Sequence, residues 1–456
     1  MTKIKLTTLL VGVLIIISGC VESGIDEFVE VNSWIQKNMQ ESYLWNERVP
    51  DEIDGRIPPG AFFGGMLAPN DFVSFITDRS VFFETEINEK PFTSGLSPAF
   101  GRFSNSNNVF VLTEFVYPES SADSNGLKRG DIILAVDDIP LNISNFERLF
   151  FAEKSTVRYT MGEFVPSQGI IAETGEVISV NQSQLDLNPV VHTSIIDTNN
   201  TKTGYLFYAE FLNGDNGQFN DSLDMAIQDF KTEGVTDLIV DLRYNLGGDI
   251  EAAQNLANAL VSNSAAQAEE VFVKFEYNES VEQEIINEEG QNSERLTRKF
   301  SQVPENLGLQ RVFFLTSEKT ASTSELLING LSPHMNVVKV GEATSGEFFG
   351  ATMIKGEDAV PPNDYIIVPV FVQYVNSEGS ANLVLGLQPE IEAEDDLLQP
   401  FQIGDVEDPL LGAAIDFILT GSQSSQKLST FKEYEILPDR IKKAKGSLIF
   451  KAERKK

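Results

Sequence analysis

The sequence predicts a multidomain α/β protein, and three observations carry that reading. Its 456 residues exceed what one compact domain usually holds. The hydrophobic spacing changes along the chain: near the N-terminus apolar residues recur every three or four positions, whereas from Thr203 onward short apolar runs alternate with amphipathic stretches. Twice in that second half a buried-strand run hands over to a helix across a short turn, which is the grammar of an α/β fold.

Lys3 and Lys5 precede an apolar run from Leu9 to Ile17 that ends at Ser18-Gly19-Cys20. The run is too short for a comfortable membrane span and suits the apolar region of a signal peptide, assigned to residues 1–19. Cys20 is the only cysteine, which excludes an intrachain disulfide, a cysteine-based zinc site and a thiol dyad. From Ile25 to about Asn46, Phe28, Val31, Ile35, Met39 and Tyr43 form a helical stripe, with Trp34 and Trp45 as core anchors. Pro50, Pro58 and Pro59 mark loops, and Phe72 to Phe83 resumes an apolar pattern. The expectation is a small helical domain over residues 20–92.

A second unit is expected over 93–165, with a strand at Asn108–Leu112, a turn and short helix from Pro118 to Ala122, and the block Gly126-Leu127-Lys128-Arg129-Gly130-Asp131-Ile132-Ile133. Short strand-like runs between Val177 and Ile195 read as linker strands over 166–202. The α/β domain follows over 203–420: strands at Thr203–Tyr208, Asp237–Arg243 and Val312–Leu315, helices at Phe219–Phe230, Ile250–Leu260 and from Ser324 to Leu331. Glu269 to Arg298 is polar and glutamate-rich and reads as a surface insertion placed to act as a lid. Tyr365–Val375 reads as a strand, Asn376–Gly379 as a turn, and Leu411–Leu419 as the last helix. Residues 421–456 begin linker-like and turn basic, with Arg440, Lys442, Lys443, Lys445, Lys451, Arg454, Lys455 and Lys456. They are expected to form a flexible tail that touches anionic lipid or the acidic body, or simply solubilises.

Charge and composition narrow the function. A net charge of −34 argues against nucleic acid as a partner. The two histidines, His192 and His334, have no carboxylates at metal-ligand spacing, and no metal or cofactor is expected. The chemistry sits in the two strand-to-helix turns. Ser322, Thr323 and Ser324 fall at a helix N-terminus, where free N–H groups and the helix dipole stabilise developing negative charge. The alternative is that Thr323 or Ser324 only caps the helix, with Glu325 in its first turn. Gly247-Gly248, just after the other strand, lets backbone approach a ligand closely or take positive φ.

Three blocks, DLRYNLGGD, TASTSE and VVKVGEATSGE, resemble the signature blocks of the carboxyl-terminal processing (tail-specific) serine peptidases, with further likeness at Val31–Trp34, Tyr43–Asn46 and Leu385–Glu390. The resemblance implies a tail-specific protease domain in which Ser322 is the nucleophile. Gly247 or Gly248, with the N–H of Thr323, would form the oxyanion hole. The family places its general-base lysine in a G-E-x-T-x-G-K turn after the nucleophile; here that turn ends in Glu347. A lysine serves when burial leaves it neutral, whereas a carboxylate starts near pKa ~4.3 and is a poor match for a hydroxyl unless burial raises it by several units. Lys339 and Lys355 flank the turn, and sequence order alone places neither histidine in or out of a triad.

Two further resemblances complete the reading. The GLKRGDII block resembles a PDZ domain, which binds the carboxyl end of a peptide by adding it as a strand to a sheet edge. It implies a peptide-binding loop and strand within Gly95–Gly101, with Gly95, Leu96, Phe100 and Gly101 as site residues; the alternative is a module that only gates or braces the protease domain. Ile17-Ser18-Gly19-Cys20 resembles a bacterial lipobox, implying lipidation of Cys20 and a cell-envelope lipoprotein, at the outer membrane and facing the periplasm or the cell surface. The functions that follow are a membrane-anchored serine endopeptidase acting on proteins recognised near their carboxyl terminus, or a catalytically degenerate peptide-binding lipoprotein of the same fold.

Overall fold

The computed structural model describes residues 27–79, 91–103, 106–199, 201–381, 385–422 and 434–437. Its centre is a six-stranded sheet in the order Val190–Thr198, Thr201–Tyr208, Asp237–Asp241, Arg311–Thr316, Asn336–Gly341, Ile391–Glu392. The first two strands are antiparallel and every later pair is parallel. The apolar runs read from sequence are the middle strands, and they are continuous because both faces are covered. Leu238, Val240, Val312 and Phe314 face one core with helices Gln218–Glu233, Ile250–Leu260 and Thr323–Leu331. The alternate residues Ile239, Phe313 and Leu315 face a second core with helix Pro409–Thr420 and with Phe110 and Phe115 of the neighbouring module.

That module is an antiparallel sheet in the order Tyr434–Ile436, Leu96–Phe103, Val109–Val116, Ile132–Val136, Thr156–Val165, Ile170–Asn181, with the short helix Phe146–Phe150 closing its core over Phe100, Ile133 and Tyr159. Two expectations change here. Residues 166–202 are not linker strands: Ile170–Asn181 pairs with Thr156–Val165 as part of this sheet, and Val190–Thr198 is the first strand of the central one. A strand with one solvated side carries few apolar residues, so its polar face hid it. Within the expected flexible tail, Tyr434–Ile436 is a strand that adds to the sheet edge at Gly101–Phe103.

The N-terminal helical region packs against the rest of the chain, and it contributes a strand as well as helices. Helices Val29–Ser42 and Pro59–Met66 pack Ile35, Met39, Phe62 and Phe63 against Ile366, Ile367 and Val368, and strand Phe75–Asp78 pairs with Tyr365–Val368. The expected strand Tyr365–Val375 is two strands in two sheets, broken at Pro369, which has no N–H to continue a ladder. Glu269–Arg298 is no surface lid. It forms strand Val271–Glu276, helix Glu279–Glu289 and strand Thr297–Lys299, and Phe272, Val273 and Phe275 are buried in the main core. Alternating charged residues with buried aromatics is what a half-exposed strand requires.

A buried ionic network ties module to sheet. Arg243, after the Asp237–Asp241 strand, donates to Asp241 at 3.0 Å, to Asp408 at 2.8 and 2.9 Å, and to Asp395 at 3.3 Å. Asp408 also caps helix Pro409–Thr420 through the N–H groups of Leu410 and Leu411. Arg129, from the GLKRGD stretch, reaches Asp395 and the Tyr244 hydroxyl at 2.5 Å each and the Phe401 carbonyl at 2.8 Å.

Candidate active site

Strands Asp237–Asp241 and Arg311–Thr316 are hydrogen-bonded neighbours in parallel, so their C-terminal ends deliver both turns to one edge of the sheet, where ligands bind in open α/β folds. The turns are then stitched together. Thr320 Oγ1 donates to the Leu242 carbonyl at 2.9 Å, the Ala321 N–H to the Asn245 carbonyl at 3.2 Å, Ser324 Oγ to the same carbonyl at 3.0 Å, and Thr323 Oγ1 to the Gly248 carbonyl at 2.6 Å. Thr323 and Ser324 therefore spend their hydroxyls on the Asn245–Gly248 turn, and neither is the helix cap.

Ser322 is the N-cap of helix Thr323–Leu331, and it sits at φ +54°, ψ −118°. A side chain in that region of backbone space costs about 1–3 kcal/mol and persists only where neighbours hold it. Glu325, three residues on, accepts the Ser322 N–H at 3.2 Å, as in a capping box. The Ser322 hydroxyl lies near the Glu325 N–H but completes no hydrogen bond: among the described residues Oγ is buried without a partner, and the residue is 1 % exposed. Other buried polar atoms, such as Thr113 Oγ1 and the Tyr208 hydroxyl, share this state, so what sets Ser322 apart is its strained N-cap beside the Gly247-Gly248 turn.

Glycine is required opposite it. Gly247 and Gly248 take φ values of +113° and +127°. A Cβ on Gly248 would lie 2.1 Å from the Phe211 carbonyl oxygen, which also accepts the Asp249 N–H at 2.7 Å. The two glycines are not equivalent. The Gly247 N–H donates to Asn245 Oδ1 at 2.9 Å, while the Gly248 N–H has no acceptor among the described residues. The Thr323 N–H, in the helix's first turn, has none there either.

At the position of the expected lysine, Glu347 is held by its backbone: its N–H donates to Glu325 Oε2 at 2.8 Å and its carbonyl accepts the Tyr374 hydroxyl at 2.7 Å. Glu325 gathers this turn, accepting also from the Gly346 N–H at 2.8 Å and from the Thr344 hydroxyl. Burial pushes its pKa up to about 7, and the Thr344, Gly346 and Glu347 donors keep it from rising further. Tyr374 is fully buried with its hydroxyl beside that of Ser322; burial, reinforced by the charges of Glu325 and Glu347, drives its pKa well above the usual phenol value, so it stays neutral.

Other bases named from the sequence lie elsewhere. Lys339 pairs with Glu390 at 2.7 Å, and Lys355 stands in strand Ile354–Lys355 of the sheet under the N-terminal helices. His334 bonds Glu270 at 2.8 Å and the Val271 carbonyl at 2.9 Å, and His192 lies on the edge strand beside Tyr205, its pKa lowered by burial. Sequence reasoning missed Asn245, Thr344 and Tyr374. Only Glu325 carried a signal, as the third residue after a serine at a helix start.

The expected peptide residues form one edge. Gly95 is at φ +88°, and a Cβ there would collide with Ser120. Leu96, Phe100 and Gly101 belong to strand Leu96–Phe103, with Phe100 packed on Phe146, Phe150 and Phe151. A cavity of about 120 Å³ runs from Leu96 and Ser97 past Phe115 and Tyr117 to Leu246 and Gly247. Cys20 lies outside the described residues, and no described helix is long and apolar enough to cross a membrane.

The parallel sheet thus sets a strained, buried serine at a helix N-terminus beside a paired-glycine turn. Residues 202–393 match the peptidase family S41 model and residues 30–83 match the peptidase S41 N-terminal domain. The chain belongs to peptidase family S41, the family of carboxyl-terminal processing proteases. It is 24% identical over 339 residues to the carboxyl-terminal-processing protease of a Picosynechococcus species, covering 74% of each chain. It is 22% identical over 311 residues to that of a Synechocystis species, covering 68% of this chain and 65% of the relative. The crystal structure of a protein assigned to the S41 proteases from Bacteroides fragilis superposes with a TM-score of 0.67 at 26% identity, over 86% of this chain and 98% of that one.

Proposed function

We propose that the protein is a serine endopeptidase that cleaves protein substrates recognised near their carboxyl terminus. The observation that carries this is the Ser322 hydroxyl, buried without a partner on a strained N-cap beside the unspent N–H groups of Gly248 and Thr323. In this reading Ser322 Oγ attacks the scissile carbonyl, and its oxygen, now carrying the charge, accepts from the Gly248 and Thr323 N–H groups. The proton taken from Ser322 passes to the leaving amine, and water then hydrolyses the acyl-serine, its proton returning to Ser322 Oγ. The Ser322 proton goes toward the carboxylate turn, where Glu347 stands at the position of the family's lysine, with Glu325 fixing the turn. The sheet of residues 94–181 is a PDZ-like module that adds the substrate's end as a strand along Leu96–Phe103, with the Gly95 loop at its carboxylate end. Lipidation of Cys20 holds the protein at the cell envelope, facing the periplasm or the surface.

A second reading is favoured by one specific fact: no lysine or histidine among the described residues hydrogen-bonds Ser322. It makes the protein a peptide-binding lipoprotein that does not cut. Incubation with an unstructured protein ending in apolar residues, followed by mass spectrometry, separates the two. Cleavage by the native protein that vanishes in Ser322→Ala supports the peptidase. No cleavage, with activity appearing in Glu347→Lys, would leave the binder.

A further inference from the structure

The edge along which a peptide would add is already taken by the chain itself. Tyr434–Ile436 runs antiparallel to strand Leu96–Phe103, with Tyr434 opposite Phe103, Glu435 opposite Arg102 and Ile436 opposite Gly101. The Leu437 N–H then donates to the Phe100 carbonyl at 2.7 Å. The tail therefore travels toward the Gly95 end of the strand. That is the direction a peptide must take for its carboxyl end to approach the Gly95 loop.

Side chains alternate as a strand requires. Tyr434 and Ile436 pack with Phe103 and Phe110 into the core shared with the central sheet, and the Tyr434 and Phe110 rings meet edge to face. Glu435 pairs with Arg102 on the other side. Leu437, on that side too, packs against the core of Phe100, Leu149 and Phe150 together with Phe146 and Phe151. It thus enters the apolar groove between the strand and helix Phe146–Phe150, where a ligand side chain would sit. On the facing strand Pro98 has no N–H to donate to a longer ladder. Leu96, Ser97 and Pro98 still line the cavity that leads to Gly247. Charge favours the docking as well, since eight lysines and arginines against two acidic residues follow Leu437 in a chain of net charge −34.

We propose that Tyr434–Leu437 is an internal ligand of the module, so that a substrate's carboxyl-terminal strand binds at Leu96–Phe103 only by displacing the protein's own tail. The proposal rests on the reading of this edge as a peptide site. It makes the tail a competitor tethered by the stretch from helix Pro409–Thr420 to Tyr434, so its effective concentration is of millimolar order. A bound fraction of about 90–99% lowers the apparent affinity for an outside peptide about 10- to 100-fold.

The test compares the full chain with its Leu437→Asp variant and with a chain stopped after Ser422. Two quantities are read: hydrogen exchange at the Leu437 amide, and binding of a fluorescent decapeptide with an apolar carboxyl terminus, followed by anisotropy. The expected result is a protected Leu437 amide in the native chain, lost in Leu437→Asp, and peptide binding at least about 10-fold tighter in both altered chains. An unprotected Leu437 amide, or equal peptide affinity in all three, overturns the competitor while leaving the peptide site standing. Protection that grows with protein concentration assigns the strand to a second copy and overturns the internal ligand. A protected amide with no peptide bound by any of the three overturns the peptide-site reading itself, and the competitor with it.

Discussion

Replacing Gly248 with alanine tests the site most sharply, because its cost follows from the packing around the turn. The residue sits at φ +127°, where an L side chain is strained by about 1–3 kcal/mol. The new Cβ would lie 2.1 Å from the Phe211 carbonyl oxygen, well inside contact distance. Relief requires moving the turn away from Phe211, which gives up the Asp249 N–H to Phe211 bond at 2.7 Å and the Phe211 N–H to Gly247 bond at 3.0 Å, about 0.5–1.5 kcal/mol each. The sum is about 4 kcal/mol, or roughly 8–16 °C in the melting temperature of a domain of this size. If Gly248 donates to the oxyanion, its displacement also lowers kcat about 10²- to 10³-fold. Differential scanning calorimetry and peptide cleavage read the two effects separately. A variant melting within about 2 °C of the native protein and cleaving at the native rate would refute both the close approach to Phe211 and the assigned donor.

Two further outcomes follow from buried charge. Glu325 titrates near 7 in the folded protein against 4.5 unfolded, so folding takes up a proton between those values: its stabilising contribution is complete below about pH 4.5 and is lost as pH rises through about 7, up to about 3 kcal/mol. Urea unfolding of native and Glu325→Gln chains at pH 5 and pH 8 should show the native protein losing more stability on going to pH 8, and parallel losses would contradict the assignment. Arg243→Met strips the cation from Asp241, Asp395 and Asp408, at a cost of about 3–5 kcal/mol; a thermal midpoint unchanged from the native value would be inconsistent with the network.

What the sequence revealed followed local physics. Ile250–Leu260 forms the helix its spacing predicts, and Asp237–Asp241 and Arg311–Thr316 are the buried strands their unbroken apolar runs require. Ser322 and the paired glycines were legible because strand-to-helix turns announce themselves through residue type. What stayed hidden depends on pairing across long distances. Thr297–Lys299 and Ile170–Asn181 are strands only because partners lie beside them. Nothing in the sequence around Tyr374, which lies in a strand of another sheet, says that its hydroxyl will stand beside Ser322, 52 positions earlier. Tyr434–Ile436 sits within a stretch whose composition reads as tail, and only the open edge at Gly101–Phe103 gives it structure.

The charged cluster explains how the antiparallel module and the Ser322 turn share one frame. A buried ion pair rarely adds stability over apolar packing of the same volume, because desolvation offsets the attraction, and its value lies more readily in fixing one arrangement. Here the arrangement fixed is that of two sheets. Arg129 leaves the antiparallel module to meet Asp395 and Tyr244, and Asp395 is shared with Arg243, which anchors the strand end before Gly247-Gly248. A second tie joins Glu114, on strand Val109–Val116, to Lys319, three residues before Ser322. That same strand is the hydrogen-bonded neighbour of Leu96–Phe103. The tail-bearing edge is thus one strand removed from a residue that grips the Ser322 turn. Glu114 also accepts from Arg129 through its carbonyl at 2.9 Å, so one residue of that strand meets both ties.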